Sequence, residues 1–117
     1  MRPYVSLRGR REFALAMRRG AISSSPSLTV YAYAPRTRAL GQPKVGIVVT
    51  RKVGKAVVRN RVRRRCKAIL QAMLAREDPR WFVVSCKPLA ATISFAELQR
   101  HLRAAIAKPP RARKAPR

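Results

Sequence analysis

Between Arg51 and Lys67 the chain places nine basic residues in seventeen, RKVGKAVVRNRVRRRCK, with no acidic residue among them. The stretch runs on through AILQAMLAR without proline or glycine, which permits a helix from about Ala56 to Arg76. At about 100° per residue, Val58, Val62, Cys66, Ile69 and Met73 fall on one stripe, while Asn60, Arg61, Arg63, Arg64 and Lys67 take much of the remaining circumference. One face can bury. The other carries like charges that no carboxylate at i,i+4 relieves, an arrangement that makes sense when a polyanion supplies the countercharge.

The rest of the composition points the same way. A length of 117 residues with 47% hydrophobic content suits one folded domain with one core. The formal charge of +24 comes from 28 Lys and Arg against four acids, and no carboxylate occurs from Phe13 through Arg76. Nucleic acid is the leading partner. An anionic membrane surface would call for a broad apolar face with aromatic anchors, and the Arg-rich half of the helix offers only valines and a cysteine. No apolar run approaches the roughly 20 residues of a bilayer span, and the N-terminus MRPYVSLRGRREF lacks a secretory apolar core. A cytoplasmic protein is expected. Cys66 and Cys86, with His101 as the one histidine, do not make a zinc site. Both thiols are expected reduced and buried, with a disulfide between them left open by sequence.

Along the chain, Phe13, Ala14, Ala16 and Met17 among basic neighbours predict a short helix over about Arg8 to Arg19, with Gly20 as its C-cap. LTVYAYA alternates Leu28, Val30 and Ala32 against Thr29, Tyr31 and Tyr33, the period of a strand. KVGIVVT is a second strand, expected to pair antiparallel with the first. The basic helix then ends near Asp78-Pro79, and WFVVSC is a further strand, giving a β-α-β unit. Phe95, Leu98, Leu102 and Ile106 recur at helical spacing after Ser94, which with Glu97 matches a capping box. The closing KPPRARKAPR has no core residues; residues 1–107 are expected to form the domain and 108–117 a basic, proline-rich disordered tail.

The sequence does not staff a protein nuclease site. Its acids are Glu12, Glu77, Asp78 and Glu97, too scattered for a metal cluster, and His101 is expected on a helix flank. RKVGK lacks the spacing of a nucleotide-binding loop. No catalytic residue and no protein-bound metal is expected.

KVGIVVTRKVGKAVVRNRVRRRCKAIL resembles the signature of the bacterial ribonuclease P protein subunit, with Arg59, Asn60 and Arg61 as its RNR core. The likeness extends upstream to Phe13 and Tyr31 and downstream through WFVVSCKP and the final helix. It implies an α+β fold, a single compact α-β-β-β-α-β-α domain of the ribosomal-protein-S5-domain-2-like type. That fold adds one short strand before Leu28 and a left-handed β-α-β crossover, against the usual handedness.

The implied activity is removal of the 5′ leader from precursor tRNA by a catalytic RNA that uses magnesium, with the small protein assisting and no membrane or obligate protein partner. By resemblance, Lys55, Arg59, Asn60, Arg61, Arg63, Arg64, Arg65 and Lys67 contact the catalytic RNA. Phe13, Met17, Tyr31, Thr50, Arg51 and Lys52 contact the single-stranded leader in a cleft between the first helix and the sheet. Arginine can fork onto phosphate, and bases stack on rings with little sequence preference. Met17 stands where relatives often carry a second phenylalanine. The alternative reading is a structural ribosomal RNA-binding protein, which would share the size, the charge and the absence of catalytic groups.

Overall fold

The structure is a computed structural model that describes residues 3–35 and 42–107. Its elements are β1 (Val5–Ser6), α1 (Gly9–Arg19), β2 (Ala21–Ser24), β3 (Leu28–Tyr33), β4 (Lys44–Val49), α2 (Ala56–Met73), β5 (Trp81–Cys86), a 3-10 turn (Pro88–Ala91) and α3 (Phe95–Ala107). The sheet order is β1-β4-β5-β3-β2. The expected tail at 108–117 lies outside the described residues.

The expected antiparallel pairing of the LTVYAYA and KVGIVVT strands is not what forms. β5 lies between them, parallel to β4 and antiparallel to β3, and β3 takes β2 as its other partner. The reason is in the composition of β5. Phe82, Val83 and Val84 are all fully buried, so this strand is apolar toward both faces and takes the centre of the sheet. The β4–α2–β5 crossover is the expected β-α-β unit.

The alternation in β3 sorts the core into two layers. Leu28, Val30, Phe82, Val84, Val45 and Val49 meet Val62, Cys66, Ile69, Leu70, Leu98 and Leu102 of α2 and α3. On the other side of the sheet Val83, Tyr31, Tyr33, Val48 and Trp81 meet Leu7, Phe13 and Ala16 around α1. The first layer is the larger, and the second is thin, closed by one short helix.

Several local expectations are refined. α2 ends at Met73 rather than Arg76, because Leu74 turns extended (φ −78°, ψ 135°) and buries its side chain. Gly20 caps α1 in an extended conformation rather than a left-handed one. Glycine is required there because a Cβ would lie 2.4 Å from the Ala16 carbonyl oxygen and 3.1 Å from the Ala32 backbone. Ser94 Oγ accepts the Glu97 N–H at 3.1 Å, whereas the Glu97 carboxylate turns to Arg100 and His101 and does not close the box. His101 Nδ1 sits 2.6 Å from the hydroxyl of fully buried Ser27, so this histidine braces the β2–β3 turn. Cys66 and Cys86 are buried free thiols with sulfurs 3.8 Å apart, joining α2 to β5.

Candidate nucleic-acid interface

The turn from β4 into α2 is built on two backbone bonds, Val53 N–H to Thr50 O at 3.0 Å and Gly54 N–H to Arg51 O at 3.2 Å. Gly54 has φ +155°, and a Cβ there would press on Val58 Cγ1 at 3.0 Å. The turn leaves Thr50, Arg51, Lys52 and Lys55 exposed around the start of α2. Lys55 is the N-cap, makes no side-chain cap bond, and no acid occupies the first turn. A helix start usually gathers carboxylates; this one gathers cations around free N–H groups, which favours an incoming anion.

Further along α2 the cations divide by direction. Asn60, Arg64 and Lys67 are exposed together with Val57, which at 78% exposure is the most open large apolar side chain described. Arg63 is half-buried beside them, its Nη1 donating to Asn60 Oδ1 at 3.3 Å, and the five residues line a shallow depression. Arg61 and Arg65 turn toward α3 instead. Arg61 Nη2 donates to Ala91 O at 3.2 Å, and Arg65 Nη1 donates to Ile93 O at 3.4 Å. Each guanidinium keeps further N–H donors after that bond. Arg59 lies against the buried face, with its Nε buried and without a hydrogen-bond partner.

The second group of residues is less tightly gathered. Phe13 and Tyr31 belong to the α1-side core cluster, so both have structural contacts in addition to any they offer a ligand. The Phe13 ring lies on β4, where a Cβ on Gly46 would fall 2.3 Å from Phe13 Cζ. Gly46 and Tyr31 flank the same β5 residue, Val83, which sets them two strands apart, about 10 Å. Met17 is 37% exposed on α1. Thr50, Arg51 and Lys52 stand beyond the C-terminal end of β4 on the exposed turn.

Three of the four acids are engaged with internal cations. Glu12 accepts from Lys44 Nζ at 2.7 Å and from the Arg8 N–H, Asp78 pairs with Arg80 at 2.7 Å, and Glu97 pairs with Arg100. They lock α1 to β4, the β5 approach to itself, and the first turns of α3. Among the described residues no cluster of three or more His, Cys, Asp or Glu could hold a metal ion. The positive face is thus left without internal neutralisation.

The family model described as Ribonuclease P matches residues 1–109. The chain belongs to the ribonuclease P protein family. It is 44% identical over 93 residues to the ribonuclease P protein component of Acidothermus cellulolyticus, covering 79% of this chain and 77% of that one. With the component of Rhodococcus erythropolis it shares 35% over 108 residues, covering 87% and 86%. The solved RNase P protein of Thermotoga maritima superposes with a TM-score of 0.71 at 25% identity, covering 84% of this chain and 94% of that one. An RNase P protein of Staphylococcus aureus, 19% identical, shares the fold with a TM-score of 0.74, covering 86% and 84%. Membership of the ribonuclease P family sets the ribosomal reading aside.

Sequence reasoning missed the internal bonds of Arg61 and Arg65, because their acceptors are backbone carbonyls thirty residues away by chain. It also missed Tyr4, Ser6 and Leu7, which border a recess with Phe13 and β4. They lie in or directly beside β1, whose two residues are too few to show a period.

Proposed function

We propose that the chain serves as the protein component of ribonuclease P by docking on the catalytic RNA through α2 while holding the 5′ leader of precursor tRNA against the α1 side of the sheet. The observation that carries this reading is the uncompensated cationic face of α2. Arg64 and Lys67 project freely, Asn60 fixes the fork of Arg63, and the helix start adds Arg51, Lys52 and Lys55. Arg61 and Arg65 contribute with guanidinium planes held by the Ala91 and Ile93 carbonyls, so less motion is lost on meeting a phosphate.

Leader contact falls to Phe13, Tyr31 and Met17, with Thr50, Arg51 and Lys52 at the open end of β4. Aromatic faces take successive bases and the flanking cations take the backbone. Magnesium belongs to the RNA in this division of labour, and hydrolysis proceeds on the RNA. The protein raises the local concentration of the correct substrate and screens phosphate repulsion. A cytoplasmic location fits this role; no described helix is long and apolar enough to cross a membrane.

The test is precursor-tRNA cleavage by bacterial catalytic RNA at low magnesium, with and without the protein and with the protein alone. Enhancement that requires both components is expected. No enhancement would overturn the subunit role, and cleavage by protein alone would overturn the assignment of the chemistry to RNA.

A further inference from the structure

Cys66 and Cys86 take no part in the reading of α2 as an RNA face, yet they meet where that helix rests on the sheet. Cys66 lies on the buried stripe of α2 between Val62 and Ile69, and Cys86 is the last residue of β5. Their sulfurs are 3.8 Å apart across 20 residues of chain, and both thiols are free. β5 is paired on both sides, with Cys86 opposite Val49 of β4 and Leu28 of β3, so its end is held in place. A sulfur–sulfur bond is about 2.05 Å long, so closure by less than about 2 Å turns this contact into a bond. Rotation of the two side chains and a small settling of α2 supply that distance.

A buried cysteine usually acts as a small apolar side chain. Two features set this pair apart. Access is unequal: Cys86 is 6% exposed and Cys66 fully buried, so a small oxidant meets Cys86 first. Acidity is unequal as well. The hydrogen bond with Cys66 holds the Cys86 thiol below its ordinary value, with burial opposing and the charge of Arg63 assisting. The same hydrogen bond, together with burial, pushes Cys66 up. One sulfur is disposed to attack and the other to keep its proton until it resolves the product.

We propose that Cys66 and Cys86 form a redox modification site, at which hydrogen peroxide installs a reversible disulfide that clamps α2 onto β5. The Cys86 thiolate attacks one peroxide oxygen, the O–O bond breaks, and the departing hydroxide leaves as water with the proton that the thiol gave up. Cys86 is then a sulfenic acid. The Cys66 sulfur attacks the Cys86 sulfur, the S–O bond breaks, and a second water leaves with the Cys66 proton. Two thiols lose two electrons and two protons, and the peroxide is reduced to two waters. A thiol reductant reverses the bridge by exchange. Asn60, Arg64 and Lys67 are exposed on α2, whereas the bridge lies beneath the helix, so the clamp fixes α2 without covering its cationic face.

The test treats the full chain with stoichiometric hydrogen peroxide at neutral pH, quenches with catalase, and reads non-reduced peptide maps and the melting temperature. The segments that hold Cys66 and Cys86 should be found joined, two hydrogens lighter than their sum. Tm should rise by about 10 °C, because the bridge closes a loop of about 20 residues in the unfolded chain. Dithiothreitol should undo both changes. Methionine oxidation adds mass and is not undone by dithiothreitol, so the reversible part of each change belongs to the cysteines. Cys86→Ala and Cys66→Ala each keep one thiol and should show no rise, and in Cys66→Ala dimedone should trap the sulfenic acid at Cys86. The parent measurement stands on its own where a variant folds poorly. Two thiols still open to alkylation after unfolding, a bridge between two chains, or an internal bridge with no rise in Tm overturns the proposal.

Discussion

The outer face of α2 and the α1 side of the sheet are both proposed to meet RNA, and they are built in opposite ways. The α2 face is made by one continuous segment whose charges need only a helix to align them. The α1 side is assembled from β1, α1, β3, β4 and β5, elements brought together by a thin core of Leu7, Ala16 and Val83 with partly buried aromatics around it. Charge gives the first surface affinity; packing gives the second surface shape. The first should respond to salt and charge reversal while staying folded, and the second should respond to changes of volume.

The largest expected effect is on the first surface. Arg64→Glu with Lys67→Glu replaces two exposed cations by anions and should lower affinity for the catalytic RNA at least roughly 10- to 100-fold at moderate salt, since the loss of even one charged hydrogen bond costs about 1.5–3 kcal/mol. The salt dependence of binding should become shallower by about 0.7–0.9 for each phosphate that is no longer neutralised. Thermal stability should change by no more than about 0.5 kcal/mol, the usual range for surface positions. A large loss of stability would mean that the charges brace the fold, and the contrast with the cleft would break.

Phe13→Ala probes the second surface. Removing the ring should reduce the preference for precursor over mature tRNA by about tenfold, from stacking worth about 1–3 kcal/mol, while also loosening α1. Gly46→Ala sharpens the point without removing any aromatic or charged group. Its Cβ would collide with the Phe13 ring, so precursor discrimination should fall about threefold while affinity for the catalytic RNA alone changes less. Binding assays on precursor and mature tRNA with each holoenzyme separate these outcomes, and equal losses for both RNAs would remove Phe13 from leader contact.

The difference in construction also explains what could be read from the chain alone. α2, its buried stripe and its cationic face follow from helical periodicity within one segment, and the error at its end came from Leu74, whose burial is a tertiary event. β3 was legible from its alternation. The order of the sheet was not, because pairing between β3 and β4 looks favourable until β5 is seen to be apolar on both faces. The motif resemblance supplied β2, which forms at Ala21–Ser24, and the residues proposed for leader contact. Neither it nor periodicity pointed to β1 or to the carbonyls that hold Arg61 and Arg65, which depend on contacts across about thirty residues of chain.

Those two arginines lie between the regimes. Arg65→Ala removes one hydrogen bond to the α3 approach and one cation, and should cost about 0.5–1.5 kcal/mol of stability together with a smaller loss of RNA affinity than Arg64→Glu. Chemical denaturation and RNA binding measured on the same variant decide how the residue divides its work. Unchanged stability with full loss of binding would place it wholly with Arg64.

The smallest effect is expected from acid. Burial raises the Asp78 carboxyl, but hydrogen bonds and the charge of Arg80 outweigh it and hold the group below the usual carboxylate range. A carboxyl lowered in the folded state contributes stability that is complete above its unfolded value of about 3.9 and is lost as pH falls through the folded value. The pair anchors more than itself, since Arg80 also donates to Ile106 O at 3.4 Å near the end of α3 and lies over Phe82 at 4.8 Å. Melting curves taken from neutral pH to below 3 should therefore show a loss in the parent protein that is partly missing in Asp78→Asn, which lacks this carboxyl at every pH. RNA binding of the variant at neutral pH should match the parent, because neither Asp78 nor Arg80 belongs to the α2 face. A variant that keeps the full acid loss would shift the responsibility to Glu12, whose bonds to Lys44 and Arg8 hold α1 over the sheet.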